Sequence, residues 1–104
     1  MPEYYWDESK NSLLQQTRNI GFEDVVSAIK SKGVLADITH PNQERYPGQH
    51  ILVIKINNYV YAVPYVPSKD SWFLKTIYPN RKYNKKYLIK EQIWTRKILI
   101  HSKT

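Results

Sequence analysis

Residues 50–66 constrain this chain more than any other stretch. His50–Ile56 and Tyr59–Val66 are two runs rich in β-branched and aromatic side chains, separated by Asn57-Asn58. Such side chains suit a pleated surface. Asparagine tolerates the positive φ of a tight turn, so the segment reads as a β-hairpin. Pro64 removes one backbone donor from the second run, which predicts a bulge or an edge position there. Strands are also expected at Val34–Thr39 and Trp72–Tyr78, with a polar loop over His40–Gly48 and a turn over Pro67–Ser71.

Before the hairpin the apolar period changes. Phe22, Val25, Val26 and Ile29 fall at i, i+3, i+4 and i+7, a helical buried stripe. Gly21 opens this helix and Gly33 stops it, with Glu23 and Asp24 at its start and Lys30 and Lys32 at its end, as the helix dipole prefers. An earlier helix runs from an Asp7 cap to about Arg18 and Asn19, with Leu13 and Leu14 as a thin apolar face. Tyr4-Tyr5-Trp6 precedes it as a brief strand. After Pro79, Asn80 caps a last helix from Arg81 to about Gln92. Two N-terminal helices, a four-stranded antiparallel sheet and a C-terminal basic helix make an α+β fold. The 104 residues are expected to form a single domain, with 93–104 a tail of uncertain structure.

The chain has no cysteine, which excludes a disulfide framework, a thiolate zinc site and a cysteine nucleophile. No segment approaches the ~18 apolar residues of a membrane span. Met1–Lys10 carries acids and aromatics where a signal peptide would be basic and then apolar. A cytoplasmic, unprocessed protein is expected. The net charge is +7, but residues 1–44 carry four bases and seven acids, whereas residues 45–104 carry twelve bases and two acids. A field this lopsided attracts polyanions, RNA first among them. The alternative is that the charge serves solubility alone.

Lys75–Lys90 is the richest segment. Lys82, Lys86 and Lys90 are spaced i, i+4 and i+8, which on an α-helix makes one basic stripe; Lys85, Tyr83 and Tyr87 lie beside it. Lysines track phosphates, and tyrosine faces either stack on unpaired bases or pack on the sheet. Lys75 shares strand parity with apolar Phe73 and Ile77, an expensive placement unless that face meets solvent or an anion. Arg81 starts the next helix, where its planar fork can grip the same phosphate. His40, Arg45 and His50 frame the proline-containing loop, and a histidine suits proton transfer near neutral pH or a plain surface role. The histidine spacing fits no metal motif, the acids sit at capping and helix-face positions, and there is no phosphate-binding glycine loop. Chemistry on RNA at such a site would proceed without a metal or other cofactor, by attack of a ribose 2′-OH on its own phosphate. Lys75 and Arg81 would stabilise the charge, and His40, Arg45 and Tyr87 are candidates for the remaining catalytic roles. A non-catalytic RNA- or protein-binding module is the alternative.

Trp6-Asp7-Glu8-Ser9-Lys10-Asn11, the helix start Gly21-Phe22-Glu23-Asp24-Val25, and Leu74-Lys75-Thr76-Ile77-Tyr78-Pro79-Asn80-Arg81-Lys82 resemble the BrnT-like toxins of bacterial type II toxin–antitoxin modules. The resemblance covers roughly residues 4–90. It implies a RelE-like fold, metal-independent endoribonuclease activity and a cognate antitoxin that covers the basic surface in a hetero-oligomer. The chain departs from the family's Lys-His-Gly between the first two helices, having Arg18-Asn19-Ile20. It also carries Tyr87 where many members have a glutamate.

Overall fold

A computed structural model describes residues 2–89, with side chains through Lys86. The elements run β1 (Glu3–Tyr5), α1 (Glu8–Arg18), α2 (Phe22–Lys30), β2 (Val34–Thr39), β3 (His50–Ile56), β4 (Tyr59–Pro67), β5 (Ser71–Leu74), β6 (Tyr78–Pro79) and α3 (Arg81–Tyr83), followed by a π-helical stretch, Asn84–Ile89. The protein is α+β. Its sheet has six strands rather than the expected four, in the order β1-β5-β4-β3-β2, with β6 also on β4. All pairings are antiparallel except β1 with β5, which is parallel. The fourth expected strand is broken in two, and the aromatic N-terminus joins the sheet.

The hairpin forms through positive φ at both Asn57 (50°) and Asn58 (66°). The β3–β4 register is unbroken from His50↔Tyr65 to Ile56↔Tyr59, so Pro64 causes no bulge. Nor is β4 an edge strand. The Pro64 carbonyl accepts from the Lys75 amide at 2.8 Å. In a strand the nitrogen and carbonyl of one residue point the same way, so the missing donor faces the gap between β5 and β6, where no ladder needs it.

That gap corrects the parity expected beyond Phe73. Residues 75–77 leave the sheet, and the Arg18 guanidinium donates to the Ile77 carbonyl at 2.6 Å. Ile77 is thereby turned into the core on the helix side, fully buried, while Phe73 is 42% exposed and Lys75 is exposed on the other side.

Both sheet faces carry apolar side chains, as the uninterrupted β3 run requires. The helix-side core joins Leu14, Ile20, Phe22, Val25 and Ala28 to Leu52, Ile54, Val63, Tyr65 and Leu74. The α2 stripe is centred on Phe22, Val25 and Ala28, with Val26 and Ile29 partly buried at its flank. In α1 Leu13 is exposed, and the second buried residue is Asn11. Asn11 Oδ1 accepts from the Phe22 amide at 2.8 Å and its Nδ2 donates to the Glu23 carboxylate, so α1 supplies the side-chain cap that Gly21 cannot. Gly21 is needed there: a Cβ would stand 2.9 Å from Asn11 Oδ1. The second cluster, Ile51, Val53, Val60 and Ala62, lies on the opposite face under Tyr78 and Tyr83. Among the described residues, no helix is long and apolar enough to cross a membrane.

The C-terminal helix differs from expectation. Asn80 does cap it, accepting from the Tyr83 amide at 3.0 Å. After one α turn, however, the chain continues as π-helix. The i, i+4, i+8 stripe presumes uniform α-helix and does not carry across the junction. Tyr83 is half-buried against the second cluster, a packing role. The Tyr87 side chain, Lys90 and the tail 93–104 lie outside what the structure describes.

Candidate nucleic-acid interface

The sheet face turned away from α1 and α2 opens at one end into a cavity of about 520 Å³. Strand parity explains its walls. Along β3 the residues Val53 and Ile51 face the second cluster, and Gln49 continues their parity to the rim. His40 does the same beyond β2, Pro64 along β4, and Phe73 and Lys75 along β5. Tyr78 from β6 and Tyr46 from the loop add rings, and Asp7 and Lys10 at the start of α1 complete the rim.

The loop 41–48 holds its residues in place through its own side chains. The Gln43 amide donates to the carbonyls of His40 (2.9 Å) and Gln49 (3.0 Å) and accepts from the Gly48 amide at 3.0 Å. Gly48 takes a φ of 72°, a conformation costly for a side chain. Asn42 Oδ1 accepts from the Arg45 amide, and the Tyr46 amide donates to the Asn42 carbonyl. The His40 ring stands 4.5 Å from that of Tyr46, and the Arg45 guanidinium lies 5.5 Å from the same Tyr46 ring. Lys75 Nζ lies 5.8 Å from the Phe73 ring.

Two of the candidates read from the sequence, His40 and Lys75, therefore meet in one cavity. Arg45 reaches its rim through Tyr46. Arg81, Lys82, Lys85 and Lys86 are exposed on the C-terminal helical segment, and none is among the residues that line the cavity. His50 faces the other way: its Nδ1 lies 3.8 Å from Asp37, whose carboxylate accepts from the Tyr65 hydroxyl at 2.7 Å. Tyr46, Gln49, Phe73 and Lys10 escaped sequence reasoning as site residues, while Tyr78 belongs to the aromatic and basic segment 75–90 that the sequence marks out. The parity of Gln49 with Ile51 was the one available signal.

The hydrogen bonding sets what the cavity can do. His40 Nδ1 accepts from the Asn42 amide at 3.0 Å, which assigns the ring hydrogen of the neutral imidazole to Nε2. This tautomer offers an Nε2–H donor to an anion, while Nδ1 is engaged by the loop backbone. Asp7 is engaged as the α1 cap, accepting from the Ser9 and Lys10 amides. Burial holds the Tyr78 phenol above its ordinary range, with Tyr83 adding to the shift. The site thus offers cationic and neutral donors beside aromatic surface. No family model matches the chain, and no curated protein or solved structure matches it.

Proposed function

We propose that this cavity binds single-stranded RNA and that the protein acts as a metal-independent endoribonuclease of the toxin type, with a RelE-like fold and an antitoxin as partner. The observation that carries the RNA reading is the convergence of Lys75 and His40, from distant parts of the chain, on a cavity walled by Tyr46, Tyr78 and Phe73. Ammonium and imidazole donors suit a phosphate, and rings suit an unstacked base. The strongly basic C-terminal half of the chain would draw the rest of the strand. The resemblance to BrnT-like toxins supplies the catalytic part of the reading.

Cleavage would proceed by attack of a 2′-OH oxygen on the adjacent phosphorus as the bond to the 5′-oxygen breaks, the 2′-OH proton passing through water to the departing 5′-oxygen, which leaves a 2′,3′-cyclic phosphate and a free 5′-OH. Lys75 would stabilise the added charge on the phosphoryl oxygens, and His40 Nε2–H would donate to one of them. Arg81 would hold the strand outside the cavity. A non-catalytic RNA-binding module is the second reading. The His40 bond to the Asn42 amide favours it, because the acceptor nitrogen that a general base would use is turned to the loop backbone.

Incubating RNA with the protein in EDTA decides between them. Cyclic-phosphate products, strongly reduced by Lys75→Ala, are expected. Binding without cleavage would establish the module, and cleavage that requires Mg²⁺ would overturn the mechanism.

A further inference from the structure

Gln49 is only 8% exposed, yet among the described residues its side-chain amide has no hydrogen-bond partner. Its backbone is held on both sides: the Gln49 amide donates to the Tyr46 carbonyl at 3.2 Å, and its carbonyl accepts from the His40 amide at 2.9 Å and from Gln43. Gln43, six residues earlier, spends its whole amide on the loop. Among the described residues, no fully buried side-chain nitrogen or oxygen lacks a partner. The unpartnered Gln49 amide therefore opens on the cavity that this residue lines. Open to the cavity, this amide is free to exchange water for a ligand edge that sets a donor beside an acceptor.

We propose that Gln49 is the specificity-determining residue of the cavity, its amide reading the edge of one unpaired adenine seated among the rings of Tyr46, His40 and Tyr78. This rests on the RNA reading above. An amide offers a donor and an acceptor side by side. Adenine matches that pair on two edges, N6–H with N7 and N6–H with N1, and glutamine to adenine is a recurrent bidentate pairing. Its two-ring face also covers more of an aromatic wall than a pyrimidine does. Lys75 and Lys10 stand on the same rim to take the phosphates on either side. The fixed backbone of Gln49 means that little ordering cost remains to be met on binding.

The test uses fluorescein-labelled octamers of 2′-fluoro-uridine, which cannot be cleaved by 2′-OH attack, with A, C, G or U at one central position. The wild-type protein is expected to bind the A octamer about tenfold tighter than the others. Gln49→Met should bring that ratio to within about twofold, chiefly by weakening binding of the A octamer. Lys75→Ala should weaken all four alike. Gln49→Glu should move the preference from A toward G, because a carboxylate has two acceptors for the adjacent guanine N1–H and N2–H and no donor for adenine N7 or N1, and unfolding cannot produce such a shift. Salt-sensitive binding that Lys75→Ala weakens, but without preference for A, would overturn the Gln49 assignment and leave the RNA reading standing. A preference for A that survives Gln49→Met would do the same. Failure to bind any octamer would overturn both.

Discussion

Replacing Asn11 with aspartate keeps the size and the Oδ1 acceptor of a 3%-exposed side chain and removes only its donor. In the protein that donor lies 3.1 and 3.2 Å from the two oxygens of Glu23. A hydrogen bond to a charged group contributes about 1.5–3 kcal/mol. The new carboxylate would also face Glu23 at close range, where two like charges at ~4 Å repel by about 4 kcal/mol at an effective dielectric of ~20. The introduced carboxyl escapes the larger figure by holding a proton, so its titration range rises in the folded state. The expected loss at pH 7 is about 3 kcal/mol, a large share of the ~5–15 kcal/mol typical of a domain. The sign with pH follows from linkage. A carboxyl raised on folding binds its proton more tightly in the folded protein, so the deficit is largest at neutral pH and shrinks as pH falls toward ~4. Urea unfolding at pH 7 and pH 4.5 would measure both values, and adding Glu23→Gln to Asn11→Asp should return part of the loss. A variant within ~0.5 kcal/mol of wild type at pH 7, or a deficit unchanged at pH 4.5, would refute the cap that α1 supplies to α2.

The other expectations follow from the same contacts. Gly21→Ala should cost about 1–3 kcal/mol in urea unfolding, because its Cβ would meet Asn11 Oδ1 at 2.9 Å, and that buried, hydrogen-bonded amide cannot step aside as the exposed Gln15 side chain can. Burial first, and then the bond to Asp37, raise the Tyr65 phenol above its ordinary 10.0. The unfolded chain ionises there first, so stability should fall as pH climbs past ~10, and Tyr65→Phe should flatten that alkaline limb in thermal melts. RNA binding that neutralises ~4–6 phosphates should show a log–log salt slope of about −3 to −4, reduced by about 0.7 in Lys75→Ala; titration at several salt concentrations reads it. Lys82→Ala with Lys85→Ala should weaken RNA binding yet shift stability by no more than about 0.5 kcal/mol, since both side chains are exposed.

The local architecture was legible in the sequence wherever a short-range rule governs it. Asp7 and Asn80 cap helices, Asn19 takes the left-handed conformation (φ 55°), and Asn57-Asn58 turns the hairpin, because each acts through backbone groups within four residues. Expectation failed where a distant partner decides. Nothing near Pro64 tells that its missing amide faces a gap between two strands. Nothing near Ile77 tells that the Arg18 guanidinium, 59 residues away, pins its carbonyl and turns its side chain through the sheet. Asn11 reads as an exposed helix residue until α2 is placed against it.

The site follows the same division. His40 and Lys75 stood out singly as chemistry-bearing residues, but their meeting depends on a register that pairs His50 with Tyr65 and Tyr65 with Leu74, a relation among three strands. Moving outward along β3 on one face, Val53 and Ile51 are sealed under Tyr78 and Tyr83, and the next residue of that parity is Gln49 at the cavity rim. The cavity therefore begins where the cover over the second sheet face ends, and polar residues such as Gln49 and His40 can stand there, beside Phe73 and Pro64, because the opening meets water. In sequence, Gln49 is one more polar residue after a glycine. Its chemical meaning comes from being 8% exposed with an amide that no described residue pairs, a property that exists only after loop 41–48 has closed on itself through Gln43.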